Sequence, residues 1–311
     1  KLDKKEKDKY FDVDWSMVYG ALDFINNHDS EDPFCLFLPI GYPHPPYCVE
    51  EPWYSLIDRN KIPERYEYTN WKDKPSLLKG ILDGQKMQNW NDKQWRELRA
   101  VYLGMCTRVD HQFGLLIDSL KNKDIYENSL IIFLSDHGDF TGDYGLVEKT
   151  QNTFQDCLSK IPLIIKPPFA NKNQKCVRDD LVELVDFAAT VYDYANIKPS
   201  YWHFGNSLRN TIENNNYNFR DAVFCEGGRL KKEEQASEKE SLKKGLLELY
   251  SPRVSLQVKE DDQLMHTKAT MCRTKDFKYI KRAYEKDELY NMKNDSGEIN
   301  NIIDDPHYKQ E

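Results

Sequence analysis

Residues 12–28, DVDWSMVYGALDFINNH, place Trp15, Val18, Leu22 and Ile25 at helical spacing behind an acidic start, which predicts an amphipathic helix near 14–27 with an aspartate cap. A longer pattern of the same period covers 92–120, and another helix is expected near 179–195. Between these lie short continuous apolar runs. The run at 130–134 is rich in β-branched residues, the composition of a strand covered on both faces in a parallel sheet, and 34–38 and 161–166 read as further buried strands. The alternation of strands and helices from 12 to about 200 predicts an α/β fold built on a helix-flanked, mainly parallel sheet. Later the pattern changes. Strands near 253–258, 266–273 and 277–283, closed by a terminal helix, predict a small C-terminal α+β subdomain with an antiparallel sheet, so the division expected is 1–225 and 226–311. Residues 57–91 are rich in Trp, Lys and Asn with little periodicity, which suggests a long surface insertion shaping access to a site. The charged KKEEQASEKESLKKG stretch within 230–250 reads as a solvated helix or loop.

Chemistry is concentrated where the strands end. Parallel sheets present ligands at the carboxyl ends of their strands, so Asp136, His137 and Asp139 fall where a site is expected, and Gly138, Gly142 and Gly145 let the chain break into a loop there. A carboxylate beside an imidazole suits a divalent ion. A lone Asp-His pair is ordinarily a turn cap and a packed histidine; here Lys149 follows within a short loop and the 161–166 strand runs into Pro167-Pro168, which together make a plausible anion site. Upstream, a Pro-rich turn after 34–38 fixes His44 between Pro43 and Pro45.

These motifs resemble the sulfatase family of the alkaline phosphatase superfamily, whose members carry SDHGD, a glycine-rich turn, a lysine and a VPLIV-type strand. This chain has SDHGD at 135–139, GDYGL at 142–146, Lys149 and IPLII at 161–165. The resemblance continues in PFCLF at 33–37 with its PHPP turn, in YLGMCTRVDHQFGLLIDSL within 92–120, and in the ELY and NDSGEINN signatures of the tail. It implies an alkaline phosphatase-like fold, with 1–225 as part of a catalytic domain. It also implies that Asp136 and His137 ligate a divalent metal, most often Ca2+ with Mg2+ or Mn2+ as alternatives, that Lys149 contacts the sulfate, and that His44 hydrogen-bonds the sulfate or the leaving oxygen. Asp110 is expected to be structural or to support the site indirectly, His111 to be a packing or surface residue, and the tail to add no chemistry. Two positions depart from the family pattern. Tyr42 stands where a lysine often precedes the Pro-His pair, as in relatives acting on phosphonate or phosphate esters, and Tyr144 stands where many members have histidine. No Cys or Ser here begins a C/S-x-P-x-R motif, so the formylglycine nucleophile is expected on sequence N-terminal to these 311 residues. The expected activity is hydrolysis of a small-molecule or carbohydrate sulfate ester; the alternatives are a phosphonate or phosphate ester hydrolase and a non-catalytic anion-binding fragment.

Composition adds limits. A net charge of −8 gives no reason to expect nucleic acid as a partner, and the aromatic content of 13% argues against disorder. No run approaches the ~18 apolar residues of a membrane span. Seven scattered cysteines without zinc-site spacing suggest reduced thiols and a cytoplasmic setting.

Overall fold

The computed structural model describes residues 11–309 apart from 69, 151, 171–176, 215–216, 232 and 234–266. In chain order its elements are α1 (Val13–Asn27), α2 (Trp53–Leu56), α3 (Ser76–Gln85), α4 (Asp92–Asn122), β1 (Ile131–Leu134), α5 (Asp156–Ser159), β2 (Leu163–Lys166), α6 (Asp186–Tyr194), α7 (Arg209–Glu213), β3 (Val223–Gly227), β4 (Ala269–Arg273), β5 (Phe277–Arg282) and β6 (Glu288–Asn291). β1 pairs with β2, and β3-β4-β5-β6 form an antiparallel sheet in that order. The described residues of 1–65, 89–129 and 166–171 form one compact unit, and those of 66–88, 130–165 and 172–311 form another.

In the first unit, α1 and α2 pack on α4. The Asp12 carboxylate caps α1 by accepting from Trp15 N, and Asn91 and Gln94 form a reciprocal capping box at the start of α4. Gly104 of α4 lets α2 come close, since a Cβ there would lie 2.7 Å from the Trp53 carbonyl oxygen. Val49, Val101 and Met105 form the apolar centre, flanked by Tyr42, Tyr47, Trp53 and Tyr54.

The second unit has two apolar centres. Leu77, Leu78 and Ile81 of α3 pack with Tyr68, Phe140, Tyr144, Leu146 and Leu158, so the loop after β1 is anchored from beneath. Burial of one such aliphatic side chain stabilises by about 1.5–3 kcal/mol. Phe154, Ala269, Met271, Ile280, Tyr290 and Met292 fill the space under the antiparallel sheet. The buried face of β5 alternates as a strand must, yet two of its three inward residues, Lys278 and Arg282, are cationic.

The α/β class agrees with the sequence reading, as do α1, α4, β1, β2, β4 and β5. Other expectations are corrected. The larger, mainly parallel sheet is not formed within the described residues. Residues 34–38 form no strand and join no ladder among them, and Phe37 is 75% exposed. β1 is half-buried and Ile164 of β2 is exposed, so neither strand is covered on both faces. Residues 57–91 are no mere surface insertion, because they contain α3 and its core leucines. In place of a terminal helix the tail makes loops and a 3-10 turn at Pro306–Tyr308. There Asp295 accepts from the amides of Ile299 and Asn300, and Asn301 from those of Leu289 and Ile303, bonds that compete with a helical ladder. The strand expected at 253–258 lies outside the described residues, as does most of the charged stretch within 230–250. No helix among the described residues is long and apolar enough to cross a membrane.

Candidate active site

The chain leaves β1 at Leu134 and turns at once. Ser135 Oγ donates to His137 O at 2.6 Å, and His137 N donates to Asp136 Oδ1 at 2.8 Å. His137 Nδ1 lies 2.8 Å from Gly138 O. A carbonyl can only accept, so Nδ1 carries a proton, and in the neutral ring the lone pair is on Nε2, 3.5 Å from Asp136 Oδ2. A carboxylate oxygen and an imidazole lone pair therefore stand side by side, with the Asp136 side chain 82% exposed. This donor chemistry fits a hard or borderline divalent cation as part of a shell. Among the described residues no third His, Cys, Asp or Glu completes a metal cluster with them.

Below the turn there is no slack. Gly138 N donates to Leu158 O at 2.8 Å, and a Cβ on Gly138 would lie 1.9 Å from Cys157 O. Burial pushes the Cys157 thiol far up in pKa, which makes it a packing group rather than a nucleophile.

Asp139, expected near the site, uses its carboxylate on the local backbone. Oδ1 accepts from Thr141 N at 2.8 Å and from Glu148 N at 3.2 Å, while Phe140 N donates to Glu148 O. These bonds tie the bend carrying Lys149 to the strand-end turn. Lys149 Nζ is 3.1 Å from Glu148 Oε1, both side chains being largely buried. Thr141, Tyr144, Glu148 and Asn152 all have φ between 46° and 68°, in the left-handed region that side chains rarely adopt. Such conformations cluster at functional loops and persist where surrounding bonds over-determine them. Tyr144, at the position where the family pattern has histidine, donates to Gly297 O and stacks on Tyr68 at 4.2 Å, and burial drives its phenol pKa strongly up. It packs and does not titrate.

His44 belongs to the first unit. His44 N donates to Gly41 O, and Nδ1 lies 2.7 Å from Pro45 O, which again places the proton on Nδ1. The backbone ahead of it is held by Asp14 of α1, whose two oxygens accept from Gly41 N and Tyr42 N, each at 2.9 Å. The Tyr42 ring lies 4.0 Å beneath the Arg108 guanidinium. Arg108 is fully buried and pairs with Asp12 at 2.6 Å and Glu50 at 3.4 Å. Burial acts against its charge, and the carboxylates of Asp12 and Glu50 more than offset that. His111 lies against Trp15 and Trp53, as expected of a packing histidine. Sequence reasoning missed Arg108 and Asp14. The helical period places both toward the centre of the unit, but charged residues there read as solvated.

The fold is one already seen in ester hydrolases: the phosphonate monoester hydrolase of Agrobacterium radiobacter superposes with a TM-score of 0.76 over 95% of this chain and 57% of that one, at 22% identity. The sulfatase family model matches residues 2–197, and the chain belongs to the sulfatase family. It is similar to an arylsulfatase of Clostridium perfringens, 28% identical over 68% of this chain and 44% of the relative. It is also similar to the multifunctional alkaline phosphatase superfamily protein PehA of Trinickia caryophylli, 23% identical over 93% of this chain and 55% of the relative. The chain spans about half the length of these curated relatives.

Proposed function

We propose that this chain supplies part of the active site of a metal-dependent sulfuric ester hydrolase. The observation that carries the reading is the turn after β1, where Asp136 Oδ2 and His137 Nε2 stand 3.5 Å apart beside a loop that bears Lys149. Asp136 and His137 would hold a divalent cation, Ca2+ first and Mg2+ or Mn2+ as alternatives, which when bound supplies positive charge against the ester's oxyanion. The Gly138 carbonyl fixes the His137 tautomer that presents a lone pair, and the prolines around His44 fix its turn. Lys149 binds and orients the anion by exchanging its bond to Glu148 for one to the substrate. His44, with Nδ1 holding a proton against Pro45 O, would bond the anion or pass a proton to the leaving oxygen through Nε2 when that nitrogen also carries a proton. The formylglycine nucleophile belongs, on this reading, to sequence other than these 311 residues, which alone are expected to show no turnover. Scattered cysteines are the ground for placing the protein in the cytoplasm.

A second reading, phosphonate or phosphate ester hydrolysis, is favoured by Tyr42: its ring is taken up under Arg108, so this position brings no cation to the anion. Turnover of matched aryl sulfate and aryl phosphonate monoesters by the complete protein decides between them. A higher kcat/KM for the sulfate supports the first reading and the reverse ratio the second. Tight anion binding with no cleavage of either ester would leave a binding protein.

A further inference from the structure

Charged side chains are buried in the second unit outside the Asp136–His137 pair itself: Lys278, Arg282, Glu288 and Glu298 are each at most 4% exposed, and Lys74 is 8% exposed. Burying an ion costs several kcal/mol even after relaxation, so packing alone gives no reason for these residues. Their bonds supply one. Lys278 Nζ, from β5, donates to Phe154 O at 2.7 Å, to Glu298 Oε1 at 2.8 Å and to Asp156 Oδ1. The other oxygen of Glu298 accepts from Asp156 N at 2.6 Å. One lysine and one glutamate thus clamp the backbone of 154–156 from both sides, at the start of α5.

The clamp reaches the site through backbone. Two residues into α5, Leu158 O accepts from Gly138 N, and Cys157 O fills the space a Gly138 side chain would need. Gly138 O in turn fixes the His137 ring. Every link from Glu298 to the imidazole is a hydrogen bond or a backbone contact, and none is a flexible side chain in solvent. Lys278 and Arg273 hold the Asp156 carboxyl below its usual range although burial opposes this, whereas burial raises the Glu298 carboxyl above its own.

We propose that Glu298 and Lys278 are positioning residues that set the orientation of His137 through α5 and Gly138. The inference rests on the reading of Asp136 and His137 as a metal site. It gives the tail, expected to add no chemistry, a part in arranging the site, because partners of metal ligands tune affinity by holding ring orientation.

The test uses the complete protein and two observables, the dissociation constant for Mn2+ and the exchange rate of the Gly138 amide. Glu298→Gln and Lys278→Met are each expected to weaken Mn2+ about 10-fold, and to speed Gly138 exchange while the amides of β4 and β5 stay protected. Tyr290→Phe is the control. It removes a hydroxyl that joins Lys74 to Glu288 in the same buried network but leaves the clamp intact. It should lower the melting temperature yet leave Mn2+ affinity within about twofold of wild type. Wild-type Gly138 exchange in both clamp variants overturns the proposal, as does an equal loss of Mn2+ affinity in Tyr290→Phe. If one clamp variant fails to fold, the other decides. Asp136→Asn separates the two levels: unchanged Mn2+ affinity there would sink the metal-site reading itself, while Gly138 exchange would still judge the clamp.

Discussion

His44 and His137 each have Nδ1 fixed by the carbonyl of the next residue, Pro45 at 2.7 Å and Gly138 at 2.8 Å, but the supports behind the two rings are of different kinds. The His44 turn is held by prolines and by one carboxylate, Asp14, that reaches two backbone amides with ordinary spacing. The His137 turn rests on bare peptide. Its neighbour Gly138 sits against Cys157 O, and the backbone just before that carbonyl, at Phe154 and Asp156, is gripped by buried side chains. A side-chain brace can absorb a change of a few tenths of an ångström, whereas a backbone contact cannot, so the two turns should respond to substitution very differently.

The largest difference is expected from paired glycine substitutions. Gly138→Ala would put a Cβ 1.9 Å from Cys157 O and should cost at least about 4 kcal/mol, while Gly41→Ala, whose Cβ would meet Asp14 Oδ1 at 3.3 Å, should cost about 1 kcal/mol or less. Denaturant unfolding of both variants measures this, and equal losses would erase the contrast. Next in size is Lys149→Ala, which in the complete protein should lower ester turnover by on the order of 10²–10³ with little change in melting temperature. Near-normal turnover would make Lys149 a structural residue, paired with Glu148.

Alkaline pH probes the charged brace. Burial lowers the Lys74 pKa to about 8 from 10.5, and Lys74 donates to Glu298 O. Between those two values the unfolded chain binds more protons than the folded one, so stability rises with pH across the window. Below pH 8 the full penalty is present. Wild type should therefore gain up to about 3 kcal/mol relative to Lys74→Met between pH 7 and 10.5, and a pH-independent difference would show that Lys74 is not held against its charge. The smallest effect belongs to the other turn: Asp14→Asn keeps one acceptor of two and should cost about 1–2 kcal/mol, with no alkaline dependence.

What the sequence revealed follows from how local each signal is. α1 and α4 were legible because period and caps lie within the element, Asp12 for one and the Asn91–Gln94 box for the other. Asp136, His137 and Lys149 were legible as candidates because strand, glycines and lysine are consecutive. α3 was not, since Leu77, Leu78 and Ile81 are diluted by Lys, Trp and Asn on both sides. Arg108, Lys278 and Glu298 were hidden for another reason. A charge inside an element reads as solvated until its partner is known, and those partners lie 96 residues away for Arg108 with Asp12 and 142 for Glu298 with Asp156. The run at 34–38 shows the converse, an apolar segment of strand composition that pairs with no described strand.

The pairing of β3 with β4 sets Gly227 opposite Ala269, and just beyond it Lys268 N donates to Arg229 O at 2.7 Å. The stretch 228–268 therefore departs from and returns to the same point of the sheet. Gly227 and Ala269 are thus held together by the ladder, whatever lies between them in sequence.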